Sequence, residues 1–289
     1  MTTLAPSKVT ARDPKGLKFV SIVEAAYNKA GLSEEEAQRV NNKPGLAELV
    51  SNFIAENRLT DRFKNEEVAS SYGYPTDYRV RAITEQANKL RELCNGIGYA
   101  NPQIAATQPL PQGTEGYFAV PRWEIIAPTY PEAVEKVFAL LKKQRNGNFY
   151  NYREGELDEQ HLRQTEQTRI MFQKLGDEQK GCGILVVPAQ FGLRHRGRSV
   201  RRAREVFVAN EFGLGAFTVG CMLLTHPERE AKWEQLHIDC AGDEFSPDAG
   251  GRFVRAPIFD FGGGRLRFST VVFDSANGFY GSASGFLPQ

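Results

Sequence analysis

The chain reads as an α+β protein: a run of amphipathic helices, a mixed middle, and a C-terminal segment of short antiparallel strands. Three observations carry that reading. Apolar residues recur at helical spacing early in the chain, as in Leu46, Leu49, Val50, Phe53 and Ile54, which predicts one buried helical face. Near the end the period changes to two: Phe259 and Phe261 alternate with Ile258 and Asp260, and Leu266 and Phe268 with Arg265, Arg267 and Ser269. Gly262, Gly263 and Gly264 separate these two runs, and a glycine turn between alternating segments predicts a β-hairpin.

The elements follow in order. Phe19, Ile22, Val23 and Ala26 form a helical face that stops before Gly31, and Ser33 with Glu36 has capping-box spacing. Thr76 opens another helix with Val80, Ile83, Ala87 and Leu90 inward. Residues 95–116, rich in Gly, Pro and Asn, read as a connection. Residues 1–112 are therefore expected to form an N-terminal helical accessory module, and residues 113–289 a second domain. In that domain Tyr117–Ile126 reads as a strand. Thr129 and Glu132 cap a helix that turns Val134, Val137, Phe138 and Leu141 inward. A polar helix is expected over about Asp158–Leu175, ended by Gly176, then a short buried strand Ile184–Val187 stopped by Pro188. Glu211–Leu224 reads as a helix, Val271–Phe273 as an extension of the hairpin, and Tyr280–Phe286 as a last strand packed close to neighbouring backbone.

Composition narrows the functional classes. A net charge of +1 gives no general reason to expect a polyanionic partner. The first twenty residues lack the apolar stretch and cleavage site of a secretory signal, and the longest apolar run, Gly215–Leu224, is half of what a membrane span needs. A soluble, cytoplasmic protein is expected. Cys94, Cys182, Cys221 and Cys240 are far apart and read as buried thiols, with a Cys221–Cys240 bridge as the open alternative. The four histidines are scattered, and no metal, cofactor or catalytic group is expected. Asp239, Asp243, Glu244 and Asp248 read as turn and cap residues, with a calcium site as the competing reading. Arg194–Arg204 holds six arginines in eleven residues. No aromatic interrupts it, so it reads as a set of ion-paired anchors, with phosphate binding as the competing reading.

The tail has a distinct composition. Residues 1–244 hold 25 Glu, 13 Lys, 13 Gln, 3 Met and 2 Trp, whereas residues 245–288 hold none of these. At the earlier rate about ten are expected there. Strands and turns disfavour Lys, Glu and Gln, but that does not explain four arginines beside no lysine.

The Asp243-Glu244-Phe245-Ser246-Pro247 step, the glycine approach, the short hairpin and the terminal Gly285-Phe286 resemble a C-type lectin-like fold, a small twisted antiparallel sheet. In particular the tail resembles the variable proteins of diversity-generating retroelements. In that family an error-prone copy replaces the end of the gene, and Asn codons ending in a pyrimidine become any pyrimidine-ending codon. Such codons encode no Lys, Glu, Gln, Met or Trp. The resemblance covers about residues 115–289 as a fold and 237–286 as the diversified region. Many relatives end in Gly-Phe-Arg, whereas this chain has Leu287 after Phe286.

The resemblance implies a non-enzymatic binding protein with an unknown protein ligand. Phe253, Phe259, Phe261, Leu266, Phe268 and Phe286 are expected inside. The expected binding face is His237, Arg252, Val254, Arg255, Ile258, Asp260, Arg265, Arg267, Ser269, Val271, Asp274, Ser275, Asn277 and Phe279. Val254, Ile258 and Phe279 have a competing reading as core residues of a second layer. Two other functions stay open: a lectin-fold enzyme similar to the formylglycine-generating group, which needs paired reactive cysteines, and a nucleic-acid binder acting through Arg194–Arg204.

Overall fold

The computed structural model describes residues 11–56, 62–248 and 250–288, so part of the leader reading, residues 1–10, and the terminal Gln289 lie outside it. Two compact units are defined, Met1–Arg58 and Leu59–Gln289.

The first unit contains α1 (Pro14–Lys29), α2 (Glu34–Asn41) and α3 (Leu46–Glu56). Pro14 opens α1, and the Ser33–Glu36 capping box starts α2 as its spacing predicts. The rings of Phe19 and Phe53 stack at 6.4 Å. The expected burial of the α3 stripe does not occur: Leu49, Phe53 and Ile54 are exposed, since three short helices bound too little volume to enclose their apolar faces.

The second unit is mixed α and β. Its elements are α4 (Ile83–Leu93), α5 (Gln103–Thr107), β1 (Gly116–Pro121), α6 (Trp123–Ile126), α7 (Tyr130–Gln144), β2 (Phe149–Asn151), β3 (Leu162–Gln164), α8 (Glu166–Glu178), β4 (Ile184–Gln190), α9 (Val200–Glu205), β5 (Glu211–Gly213), α10 (Ala216–Thr225), β6 (His237–Asp239), β7 (Asp243–Phe245), β8 (Arg255–Gly262), β9 (Arg265–Val272), β10 (Tyr280–Ser282) and β11 (Ser284–Phe286). One sheet has the order β1-β4-β11-β5. The other is built around β8, with β9 then β2 on one side and β6 and β7 on the other; β10 extends β6 and β3 extends β7.

The unit boundary falls at Arg58–Leu59 rather than near residue 112, because α4 packs on β1. Gln86 is fully buried, donates to Tyr117 O at 2.9 Å and accepts from Ala119 N at 3.0 Å. Its amide takes the place of a neighbouring strand along the β1 edge. Gln179 treats Val186 the same way, at 2.9 and 2.8 Å.

Several element ends differ from expectation for local reasons. The helix predicted from Thr76 begins at Ile83, since the Pro75 carbonyl closes a turn with Tyr78 N first. The strand from Tyr117 ends at Pro121, and α6 follows. Thr165 caps α8, so the segment before it pairs as β3 instead of forming helix. β4 runs through Pro188 because β11 pairs only with Ala189 and Gln190, beyond the proline. The Glu211 helix starts at Ala216, where the Asp243 carboxylate accepts the Ala216 N–H at 2.7 Å. The last strand is two strands, β10 in one sheet and β11 in the other, joined through buried Ala283.

The predicted hairpin forms, with Gly262 paired to Arg265. Gly263 and Gly264 both have positive φ, 61° and 77°, the conformation a two-residue turn between twisted strands requires. Phe259 stands opposite Phe268 and Phe261 opposite Leu266. The inner face packs on α7, where the Phe138 ring lies 4.4 Å from Phe268, 5.2 Å from Phe149 and 5.8 Å from Phe259. Phe259, Leu266, Phe268 and Phe286 are fully buried. Phe253 and Phe261 are only half-buried; Phe253 precedes the strand and lies under the Arg163 guanidinium at 3.7 Å.

Candidate ligand-binding face

The side of the hairpin turned away from α7 carries Gly262, Asp260, Ile258 and Ala256 on β8, opposite Arg265, Arg267, Ser269 and Val271 on β9. Ladder pairing extends this row. Asp239 of β6 is opposite Ile258, Tyr280 of β10 is opposite His237, and Tyr150 of β2 is opposite Arg267.

Two segments cover part of this row. The loop between α10 and β6 brings Trp233, and the segment before β10 brings Phe279. Trp233 lies 5.0 Å from the His237 ring and 5.7 Å from Phe279, while Phe279 also meets Tyr72 at 5.9 Å and Tyr280 at 5.0 Å. These rings cover His237, and on β8 too the alternation fails as a guide to exposure. Ile258 is 3% exposed and His237 is fully buried, so neither is displayed. Asp260 is 8% exposed and acts as an acceptor: Arg267 donates to it twice, at 2.7 and 2.9 Å, and the Tyr280 hydroxyl once, at 3.1 Å.

What remains is a patch of exposed Trp233, Tyr150, Tyr152 and Arg265 with half-buried Phe279 and Arg267. Trp233 is 45% exposed, Tyr150 and Tyr152 pack edge-on at 4.7 Å, and the Arg265 guanidinium lies 4.6 Å from the Tyr150 ring. Sequence reasoning selected the arginines and Phe279 but missed the other three. The available signals were Trp233 in a polar loop and the aromatic repeat in Phe149-Tyr150-Asn151-Tyr152.

The loop that carries Trp233 is held from below. Arg145 donates to the carbonyls of Pro227, Arg229 and Glu230 at 3.0–3.1 Å, and Gln235 accepts from Ala231 N at 2.9 Å. Glu230 has a left-handed backbone, φ 53°, and its buried carboxylate meets His237 Nδ1 at 3.0 Å. Burial raises Glu230 above the usual carboxylate range, and the hydrogen bond to His237 opposes that shift. Burial also pushes Asp239, behind the patch, up to about 7. Burial, then the nearby Asp260 charge, keep the Tyr280 phenol protonated.

The other expected residues lie toward the open end of the hairpin, about 20 Å along the strands from its turn. Arg252, Val254, Asp274 and Ser275 are exposed there, and Arg255 and Val271 are half-buried. Arg252 approaches Asp248 at 3.6 Å. Ser269 is half-buried in mid-strand, and the half-buried Asn277 accepts from Phe279 N at 3.3 Å. The expected face is thus two patches separated by buried Ile258.

The remaining candidate groups are engaged elsewhere. Each arginine of Arg194–Arg204 has a protein acceptor: Arg194 meets Glu211, Arg196 the Tyr72 carbonyl, Arg198 and Arg202 meet Glu67, Arg201 meets Glu66, and Arg204 the carbonyls of Ala241 and Asp243. The four cysteines are free thiols, and burial pushes Cys221 and Cys240 well above the ordinary thiol range. Asp243 is buried, and its carboxylate accepts from the Tyr130 hydroxyl at 2.9 Å. Glu244 pairs with Arg163 at 2.8 Å. Among the described residues no helix is long and apolar enough to cross a membrane. No protein-family profile, curated protein or solved structure matches the chain.

Proposed function

We propose that this chain is a non-enzymatic binding protein of C-type lectin-like fold that presents sequence-diversified residues to a protein ligand, as the variable proteins of diversity-generating retroelements do. One observation carries the reading. The segment without Lys, Glu, Gln, Met or Trp supplies exposed Arg265 and half-buried Arg267 on a hairpin whose other face is core, and half-buried Phe279 just before β10. On that face Arg265 changes without disturbing the inner Phe259, Leu266 and Phe268, whereas a change of Arg267 also gives up its pairing with Asp260.

The chemistry of the patch supports a protein ligand. Trp, Tyr and Arg dominate the binding energy of protein interfaces because each covers a large area from a stiff side chain. Trp233, Tyr150 and Tyr152 lie outside the compositional segment or at its border in space, so they serve as fixed contacts beside changeable ones. A loop already ordered by Arg145 and Gln235 loses little further freedom on binding.

The gene sequence tests the proposal. Codons for Arg252, Val254, Arg265, Arg267, Ser269, Asn277 and Phe279 are expected to end in C or T, with a near-repeat nearby that carries adenines at those codons. Purine-ending codons at most of these positions, or no such repeat, would refute it.

A further inference from the structure

We propose that the N-terminal three-helix unit is a dimerisation module, whose apolar face pairs with the same face of a second copy of this chain. None of the described residues of this unit is buried. The Phe19–Phe53 ring pair joins α1 to α3, and an apolar stripe runs on from each ring. Val23 lies one turn from Phe19, and Leu17, Val20 and Tyr27 continue at helical spacing; Leu49 lies one turn from Phe53, and Leu46 continues. These six side chains are exposed, from 39% at Tyr27 to 69% at Leu49.

The area fits one partner of the same kind. The six side chains leave roughly 600 Å² open, at the top of what a monomer shows in one apolar patch. A stable dimer covers about 800 Å² on each partner, and in homodimers about two-thirds of that is apolar. A single further copy therefore covers the face.

Composition and charge point the same way. A small unit that buries none of its own residues is held by a disulfide, a metal or association. The first cysteine of the chain is Cys94 and the first histidine His161, so residues 1–58 offer neither a disulfide nor the usual zinc ligands. Association is left. The α1 sequence carries three Lys and one Glu, α2 three Glu and one Arg, and α3 two Glu and no base. A surface holding both signs complements itself in a two-fold pair, with α1 of each copy against the acidic helices of the other.

Sedimentation velocity on the full chain tests this. A dimer is expected at micromolar concentration, dissociating on dilution. Val23→Asp and Leu49→Asp each set a carboxylate into the seam and are expected to weaken the dimer at least about tenfold. Leu110→Asp, at an exposed leucine of the second unit, is expected to leave it unchanged. Because either seam variant could unravel its own short helix, hydrogen exchange of the unaltered chain supplies a second reading. Amides of α1 and α3 are expected to lose protection on dilution while those of β8 and β9 keep it. A monomer or a higher oligomer, a dimer that both seam variants leave intact, or dilution-sensitive protection confined to the second unit would each overturn the proposal.

Discussion

Arg267 stands directly opposite Asp260 on the β8–β9 ladder, and its Nε and Nη2 donate to the two carboxylate oxygens at 2.7 and 2.9 Å. Tyr280 brings a third donor to the same carboxylate from β10. The guanidinium is thus a lock across the sheet and a half-buried member of the patch. Asp260→Ala or Arg267→Ala is expected to destabilise the chain by about 1–3 kcal/mol in urea denaturation, and the double variant by less than the sum. Additive losses would mean that the pair is not coupled.

Ile258 separates scaffold from display. It was expected outward, yet it is buried between the two patches, paired with Asp239 on one side and Ser269 on the other. Ile258→Ala is expected to cost about 2–4 kcal/mol, whereas Arg265→Ala stays within about 0.5 kcal/mol. Comparable melting temperatures for the two variants would contradict this division.

Gln86 tests the edge of the other sheet. Gln86→Ala leaves the Tyr117 carbonyl and the Ala119 N–H without their buried partners, and a loss of about 1–3 kcal/mol is expected. An unchanged unfolding midpoint would show that the amide does not hold β1.

Burial raises Asp239 and Asp243 to about 7 in the folded chain, above their unfolded value near 3.9. The folded state then holds more protons between about pH 4 and 7, so their contribution to stability falls as pH rises through that window and stays low above it. Tyr280 and Cys240 lie beside Asp239, and burial keeps both protonated there. Asp239→Asn is expected to flatten part of this slope and to stabilise the chain by roughly 1–3 kcal/mol above pH 7. An unchanged slope between pH 4 and 7 would count against a buried ionising Asp239.

Much of the architecture was legible in the sequence, since it depended on local signals. The glycine turn set the register from Gly262–Arg265 through Phe259–Phe268, and the Ser33–Glu36 and Thr129–Glu132 boxes marked two helix starts. Signals that depend on distant packing were not legible. Period-two alternation placed Ile258 outward, because it carries no information about distant segments that bury the second face of a sheet. Gly176 read as a helix end, though it lies inside α8 to admit Arg122. At the candidate site, arginines and Phe279 were found from the tail, while Trp233 and Tyr150 reach it from other parts of the chain.

The most direct measurement is the distribution of natural substitutions at this locus, read by deep sequencing of a population that carries the gene. The account predicts changes concentrated at Arg252, Val254, Arg265, Arg267, Ser269, Asn277 and Phe279, with Ile258, Phe259, Leu266, Phe268 and Trp233 constant. Changes spread evenly over exposed and buried hairpin positions, or no excess variation in the tail, would contradict it.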